Sequence, residues 1–153
     1  MTPEARLEAL GLTLPPVSAP IGAYLTCKRQ GDLLYLSGAG PIVEGKALWQ
    51  GKVGADVSPE AAYDAARVSA LNLLAALKQE LGELSRVKSV VKLLGLVACA
   101  DGFYGQPGVI NGASDLLYEV FGEKGRHARS AIGVCSLPMN IPVEIEMIVQ
   151  VEG

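Results

Sequence analysis

A guanidinium and two carboxylates stand out near the end of the 153-residue chain: Arg129, in the run Ala128-Arg129-Ser130, and Glu144 and Glu146, in Val143-Glu144-Ile145-Glu146. A planar guanidinium can grip a carboxylate through two parallel charge-assisted hydrogen bonds, which a lysine cannot copy. These types together fit a pocket for a small anion. Both lie in alternating sequence. Val143, Ile145, Met147, Val149 and Val151 point one way and Glu144, Glu146, Gln150 and Glu152 the other, with Ile148 the one apolar interruption; a period of two is a strand with one buried face. Before it, Arg129, Ala131, Gly133 and Cys135 share one side and Ile132 and Val134 the other. Arg129 is therefore expected to stand over small side chains, with room in front of it. Against a functional role, Arg and Glu on strand faces are commonly solvated or loosely paired. In a simple hairpin about Pro138–Ile141, Arg129 and Glu144 would lie about five positions apart, on the order of 17 Å. They can share a ligand only if the strands are not neighbours, or if a second subunit supplies one group.

The elements that must position these residues follow from local signals. Thr2-Pro3-Glu4 opens a short helix with Leu7 and Leu10 on one stripe and Gly11 as its stop, the hydroxyl capping the first turn. Leu14–Val17 is an extended connector, and Ile21-Gly22-Ala23-Tyr24 leads into a first strand. Gln30-Gly31-Asp32 is a turn, and Leu33–Gly38 is a second, apolar strand. Ser37-Gly38-Ala39-Gly40-Pro41 lacks the spacing and the Lys-Ser/Thr of a phosphate loop, and nothing pairs Ser37 with a triad. Ala47-Leu48-Trp49 reads as a short third strand. Ser58-Pro59-Glu60 starts the longest helical pattern, from Ala62 to Leu81, ended by Gly82; Asn72 near its apolar face is expected to be satisfied within the fold. Val87–Ala100 reads as a central strand buried on both faces. Asp101–Pro107 reads as a loop, its glycines making it pliable where it enters the next helix, with Pro107 able to serve that helix's first turn. Val109, Ile110, Ala113, Leu116, Leu117, Val120 and Phe121 mark a second long helix, stopping at Gly122. The expected fold is α+β: one domain, residues 1–153, with two long helices on one face of a mixed sheet and residues 1–17 as an N-terminal helical extension.

Composition narrows the function. Half of the residues are apolar and 19% are charged, lean for a monomer covering its own surface, so an oligomer is expected. A net charge of −3 and the lack of a basic run argue against a nucleic-acid partner. Cys27, Cys99 and Cys135 are odd in number and scattered, which fits buried thiols in a reducing compartment. The lone His127 cannot build a histidine-rich metal site. With no 18-residue apolar run and no signal-peptide pattern, the protein is expected to be soluble and cytoplasmic, without a membrane partner.

Five motifs taken together, Ile21-Gly22-Ala23-Tyr24, Leu36-Ser37-Gly38, Ala128-Arg129-Ser130, Leu137-Pro138 and Val143-Glu144-Ile145-Glu146, resemble the signature of the reactive intermediate deaminase (Rid, or YjgF) family, from about Ser18 to Val151. The resemblance implies a chorismate-mutase-like fold assembled as a homotrimer with clefts between subunits. It also implies cofactor-free hydrolysis of enamines and imines such as 2-aminoacrylate, giving a 2-keto acid and ammonia. Arg129 falls at the family's carboxylate-binding arginine and Glu144 at the glutamate that handles the attacking water. Tyr24 matches the cleft tyrosine, and Ser37 and Gly38 the strand end lining it. Ala131 stands where the best-known members often have cysteine, and His127 where a proline is common. Ala39-Gly40-Pro41 replaces a Gln-containing form, and Asn111 is a candidate for the cleft asparagine. These departures mark a divergent branch. The alternative from another class is a trimer that binds a small 2-keto or amino-acid-like carboxylate without turning it over.

Overall fold

The computed structural model describes all residues 1–153. Its elements run α1 (Pro3–Ala9), β1 (Cys27–Gln30), β2 (Leu33–Ala39), β3 (Ile42–Val43), β4 (Lys46–Ala47), α2 (Pro59–Leu81), β5 (Val87–Ala98), α3 (Gln106–Phe121), β6 (Ala128–Val134) and β7 (Val143–Val151), with short 3₁₀ turns before β5, after α3 and before β7. The helix limits are set where the sequence puts caps. Thr2 and Ser58 accept the backbone N–H of Ala5 and Ala61, and Gly82 and Gly122, both at positive φ, end α2 and α3.

The main sheet has the order β1-β2-β7-β5-β6, all neighbours antiparallel except the parallel pair β5 and β6. That parallel pair follows from α3, which carries the chain back over the sheet between them. Both long helices lie on one face. Their apolar stripes, among them Ala66, Leu73 and Leu77 of α2 and Ile110, Leu116 and Leu117 of α3, meet Leu34, Leu93, Val97, Ile145, Met147 and Val149 of the sheet in one core. Small residues set the approach: a Cβ at Gly95 of β5 would lie 2.6 Å from the Ile110 side chain. The opposite sheet face carries no helix. There Tyr35, Val91 and Ile132 remain exposed.

Three local expectations change. β5 alternates between buried and accessible residues, because helices cover only one of its faces, so it is not buried on both. The expected strand at Ala47–Trp49 is a two-residue arm, Lys46–Ala47, paired with Ile42–Val43 outside the main sheet. Cys27 and Cys99 are half-buried, but Cys135 is exposed, because β6 ends at Val134. Pro107 does stand in the first turn of the second long helix, since α3 begins at Gln106.

Candidate active site

β7 presents Glu144 between Val143 and Ile145, both fully buried, so alternation turns the carboxylate to the helix-free face. Opposite it, β2 loses its regular register with β7 between Leu36 and Ala39, and Ser37 and Gly38 leave the ladder. A Cβ at Gly38 would lie 2.9 Å from Glu144 Cδ and 3.0 Å from Oε2. Only glycine lets the carboxylate rest against the backbone there. Glu144 is half-buried, accepts no hydrogen bond and pairs with no cation within the chain. Burial, and then the neighbouring charge of Glu146, push its pKa above the ordinary glutamate range. Ser37 Oγ donates to Leu25 O at 2.6 Å, tying the end of β2 to the connector that carries the half-exposed Tyr24.

Tyr24 and Ser37 border two spaces. One is an open groove of about 750 Å³ on the helix-free face, shared with Lys28, Lys92 and Glu146. The other is a narrower cavity of about 300 Å³ between the connector, the end of β2 and α2. Asn72 on its wall donates to Gly40 O at 2.8 Å and Ile42 O at 2.9 Å, so its amide is used to hold the loop after β2.

Arg129 stands elsewhere. β6 is an edge strand, and Arg129 is in register with Leu93 of β5 and, through it, Met147 of β7. Both partners face the core, so Arg129 is on the helix side of the sheet. Its guanidinium donates to Ser114 Oγ at 3.1 Å and to Pro107 O at 3.2 Å, both on α3. Two of its five N–H donors are thereby fixed. A pocket of about 440 Å³ opens beside it, lined by Ser114, Asp115, Tyr118, Gly125, Arg126, His127 and Arg129. His127 Nε2 lies 3.0 Å from Ser114 Oγ, and its Nδ1 lies 2.8 Å from Gly125 O. Burial drives the histidine's pKa below its usual value; the Gly125 carbonyl opposes this and the Arg129 charge adds to it.

The room expected in front of Arg129 is therefore occupied. Ala131 packs against the core, and a Cβ at Gly133 would lie 2.8 Å from Gln106 Nε2 and 2.9 Å from Cys99 Sγ. The small residues of β6 admit the start of α3 rather than a ligand. Asn111 is exposed on α3 between Pro107 and Ser114, one turn from each. The candidate residues thus form two groups. Tyr24, Ser37, Gly38 and Glu144 meet on one side; Arg129 and Asn111 gather on the other, with Ala131 behind Arg129. β5 separates β6 from β7, so no hairpin forms. Leu96 pairs with both Ile132 and Glu144, which puts Arg129 and Glu144 three positions apart along the strands. That is about 10 Å along the sheet and about 10 Å across it, on opposite faces. Ser114 and the Pro107 carbonyl were not foreseen as partners of Arg129. Nothing in separations of fifteen and twenty-two residues signals them, and the only hint was an unusual histidine two residues before the arginine.

This geometry can be set beside known proteins. A family model described as "YjgF/chorismate_mutase-like, putative endoribonuclease" matches residues 4–150. The chain belongs to the YjgF family. It is 40% identical over 150 residues to Protein TCP17 of Trypanosoma cruzi, covering 97% of this chain and 94% of that protein. Among solved structures, it resembles the protein Atu1372 of unknown function from Agrobacterium tumefaciens at 46% identity and a TM-score of 0.92, covering 98% of this chain and 92% of that one. It also resembles a protein from Shewanella oneidensis described as a putative endoribonuclease, at 40% identity and a TM-score of 0.95, covering 99% and 100%. The α+β fold with its mixed sheet is that of the YjgF family. No helix of this member is long and apolar enough to cross a membrane.

Proposed function

We propose that this YjgF-family protein hydrolyses small 2-imino and 2-enamino carboxylates to 2-keto acids and ammonia. The observation that carries the reading is Glu144: a half-buried carboxylate with no partner within the chain, its pKa raised, laid against the Gly38 backbone. A carboxylate so placed is poised to exchange protons. In the reaction, Glu144 takes a proton from water as the oxygen adds to the C=N carbon. It returns that proton to the nitrogen to give the carbinolamine, then carries the hydroxyl proton across as the C–N bond breaks, so that ammonia leaves and the carbonyl forms. An enamine first tautomerises to the imine. The three N–H donors that Arg129 keeps free grip the substrate carboxylate.

Because Arg129 and Glu144 occupy opposite faces of one sheet, the reading needs a second copy. The β6 edge of one subunit, with Arg129 on it and Asn111 on the adjoining α3, meets the Tyr24–Ser37–Gly38–Glu144 side of the next. A homotrimer with three such clefts also covers the helix-free face, where Tyr35, Val91 and Ile132 are bare. Sedimentation showing a monomer at micromolar concentration would remove this arrangement.

The family description also names an endoribonuclease. An RNA backbone calls for a track of cations, whereas the open groove sets Lys28 and Lys92 beside Glu146 in a chain of net charge −3. The deciding experiment generates 2-aminoacrylate and bulkier imino acids in situ and follows ammonia release with wild type and Glu144→Gln. Loss of release with retained 2-ketobutyrate binding supports the enzyme. Binding by wild type without any release identifies a carboxylate-binding protein instead.

A further inference from the structure

A serine inside a helix commonly donates to the carbonyl four residues back. Ser69 of α2 does so, to Ala65 O at 3.1 Å. Ser114 of α3 does not; the matching acceptor would be Ile110 O, yet Ser114 Oγ stands between Arg129 Nη1 at 3.1 Å and His127 Nε2 at 3.0 Å. Hydrogen-bond directions here are forced. A guanidinium only donates, so Ser114 Oγ accepts from Arg129 and has its own proton to give to His127. A carbonyl only accepts, so His127 carries its hydrogen on Nδ1, toward Gly125 O at 2.8 Å, and leaves Nε2 bare to receive the serine proton. Burial favours the neutral ring that this needs. The far end is anchored too: a Cβ at Gly125 would lie 2.6 Å from the Leu117 carbonyl carbon, so the turn carrying that carbonyl is seated against α3.

We propose that His127 is a positioning residue for the anion site. It holds Ser114 out of the back-bonded rotamer, so that Ser114 Oγ and Pro107 O together fix the plane of the Arg129 guanidinium before a carboxylate arrives. This deepens, and rests on, the reading of Arg129 as the carboxylate receptor. His127 itself need not touch the ligand. Without it the Ser114 hydroxyl turns back to Ile110 O, as Ser69 does to Ala65 O, and the guanidinium pivots on its single remaining anchor. A donor fork that must be ordered on binding holds its ligand less well than one already ordered.

Calorimetric titration of the full-length protein with 2-ketobutyrate tests this. His127→Ala and Ser114→Ala should each raise Kd about tenfold, the scale of one hydrogen bond to a charged group. The double variant should be no weaker than Ser114→Ala alone, because the two residues act through one contact. His127→Gln should recover most of the affinity, since its side-chain oxygen can accept the serine proton. A histidine that only supports the fold gives another pattern: affinity follows Tm, the single losses multiply toward about a hundredfold, and glutamine rescues nothing. That pattern, or an unchanged Kd in His127→Ala, overturns the proposal. If His127→Ala fails to fold, His127→Leu, which keeps bulk but cannot accept the serine proton, carries the test: a loss equal to that of Ser114→Ala supports the proposal, and a wild-type Kd overturns it. Arg129→Lys separates the levels. If it binds normally, the carboxylate reading falls and this inference with it; if it binds weakly while His127→Ala does not, only the positioning role is lost.

Discussion

The two ends of the candidate site are built on opposite principles. Arg129 is held: Ser114 Oγ and Pro107 O fix its guanidinium, and His127 and Gly125 stand behind Ser114. Glu144 is left without partners, half-buried against a glycine with a second carboxylate nearby. The difference matches what each group would be asked to do. A receptor for a carboxylate gains from a fixed fork and a permanent charge. A proton carrier gains from a pKa brought closer to the working pH, which a salt bridge would oppose.

The sharpest way to test the contrast is to remove the proton carrier. Glu144→Gln should lower the rate of ammonia release by about 10²–10⁴-fold, the usual worth of general acid–base catalysis, with 2-ketobutyrate affinity nearly kept; stopped-flow assay and calorimetry read the two effects separately. Gly38→Ala moves the same carboxylate without changing its chemistry. The added Cβ would sit 2.9 Å from Glu144 Cδ, and a displacement of that kind can cost about a hundredfold in rate. Turnover should fall far more than binding, and equal losses in both would mean that the groove as a whole had collapsed. At the other end, Arg129→Lys should weaken 2-ketobutyrate binding by ~1.5–3 kcal/mol, with the protein still folded; unchanged affinity would make the arginine purely structural.

The smallest effect is on stability, and its sign separates the two ends. A carboxyl group whose folded pKa is raised binds its proton more tightly in the folded state. Its contribution favours folding at low pH and is lost as pH rises through the folded value. Removing the ionisable group should therefore make Glu144→Gln melt at a higher temperature than wild type near pH 7. The advantage should fade below the ordinary glutamate value of 4.5, where both states carry the proton. A lower Tm for Glu144→Gln at pH 7 would show that the carboxylate has a stabilising partner. Arg129→Lys should show the reverse, a modest loss of Tm, because it breaks contacts that tie β6 to α3.

Much of this was written locally in the chain. Helix starts at Thr2 and Ser58 and stops at Gly82 and Gly122 depend on caps and positive φ within a few residues, and the one-faced alternation of β7 follows from the period of a strand. Those signals sufficed for an α+β domain with helices on one sheet face, and the motifs around Ser37-Gly38, Arg129 and Glu144 sufficed for the family. What alternation cannot specify is which strand lies beside which. It gives each strand a buried and an outer side, but only the pairing of β5 with both β6 and β7 decides that the outer side of Arg129 belongs to the helix layer and that of Glu144 to the bare face. The small residues Ala131 and Gly133 misled for the same reason, since a gap in a sequence pattern does not say what will fill it, and here the start of α3 does. The clamp on Arg129 joins residues 107, 114, 125, 127 and 129 through contacts made only after α3 has folded back over the sheet, so that clamp was decided by tertiary structure alone.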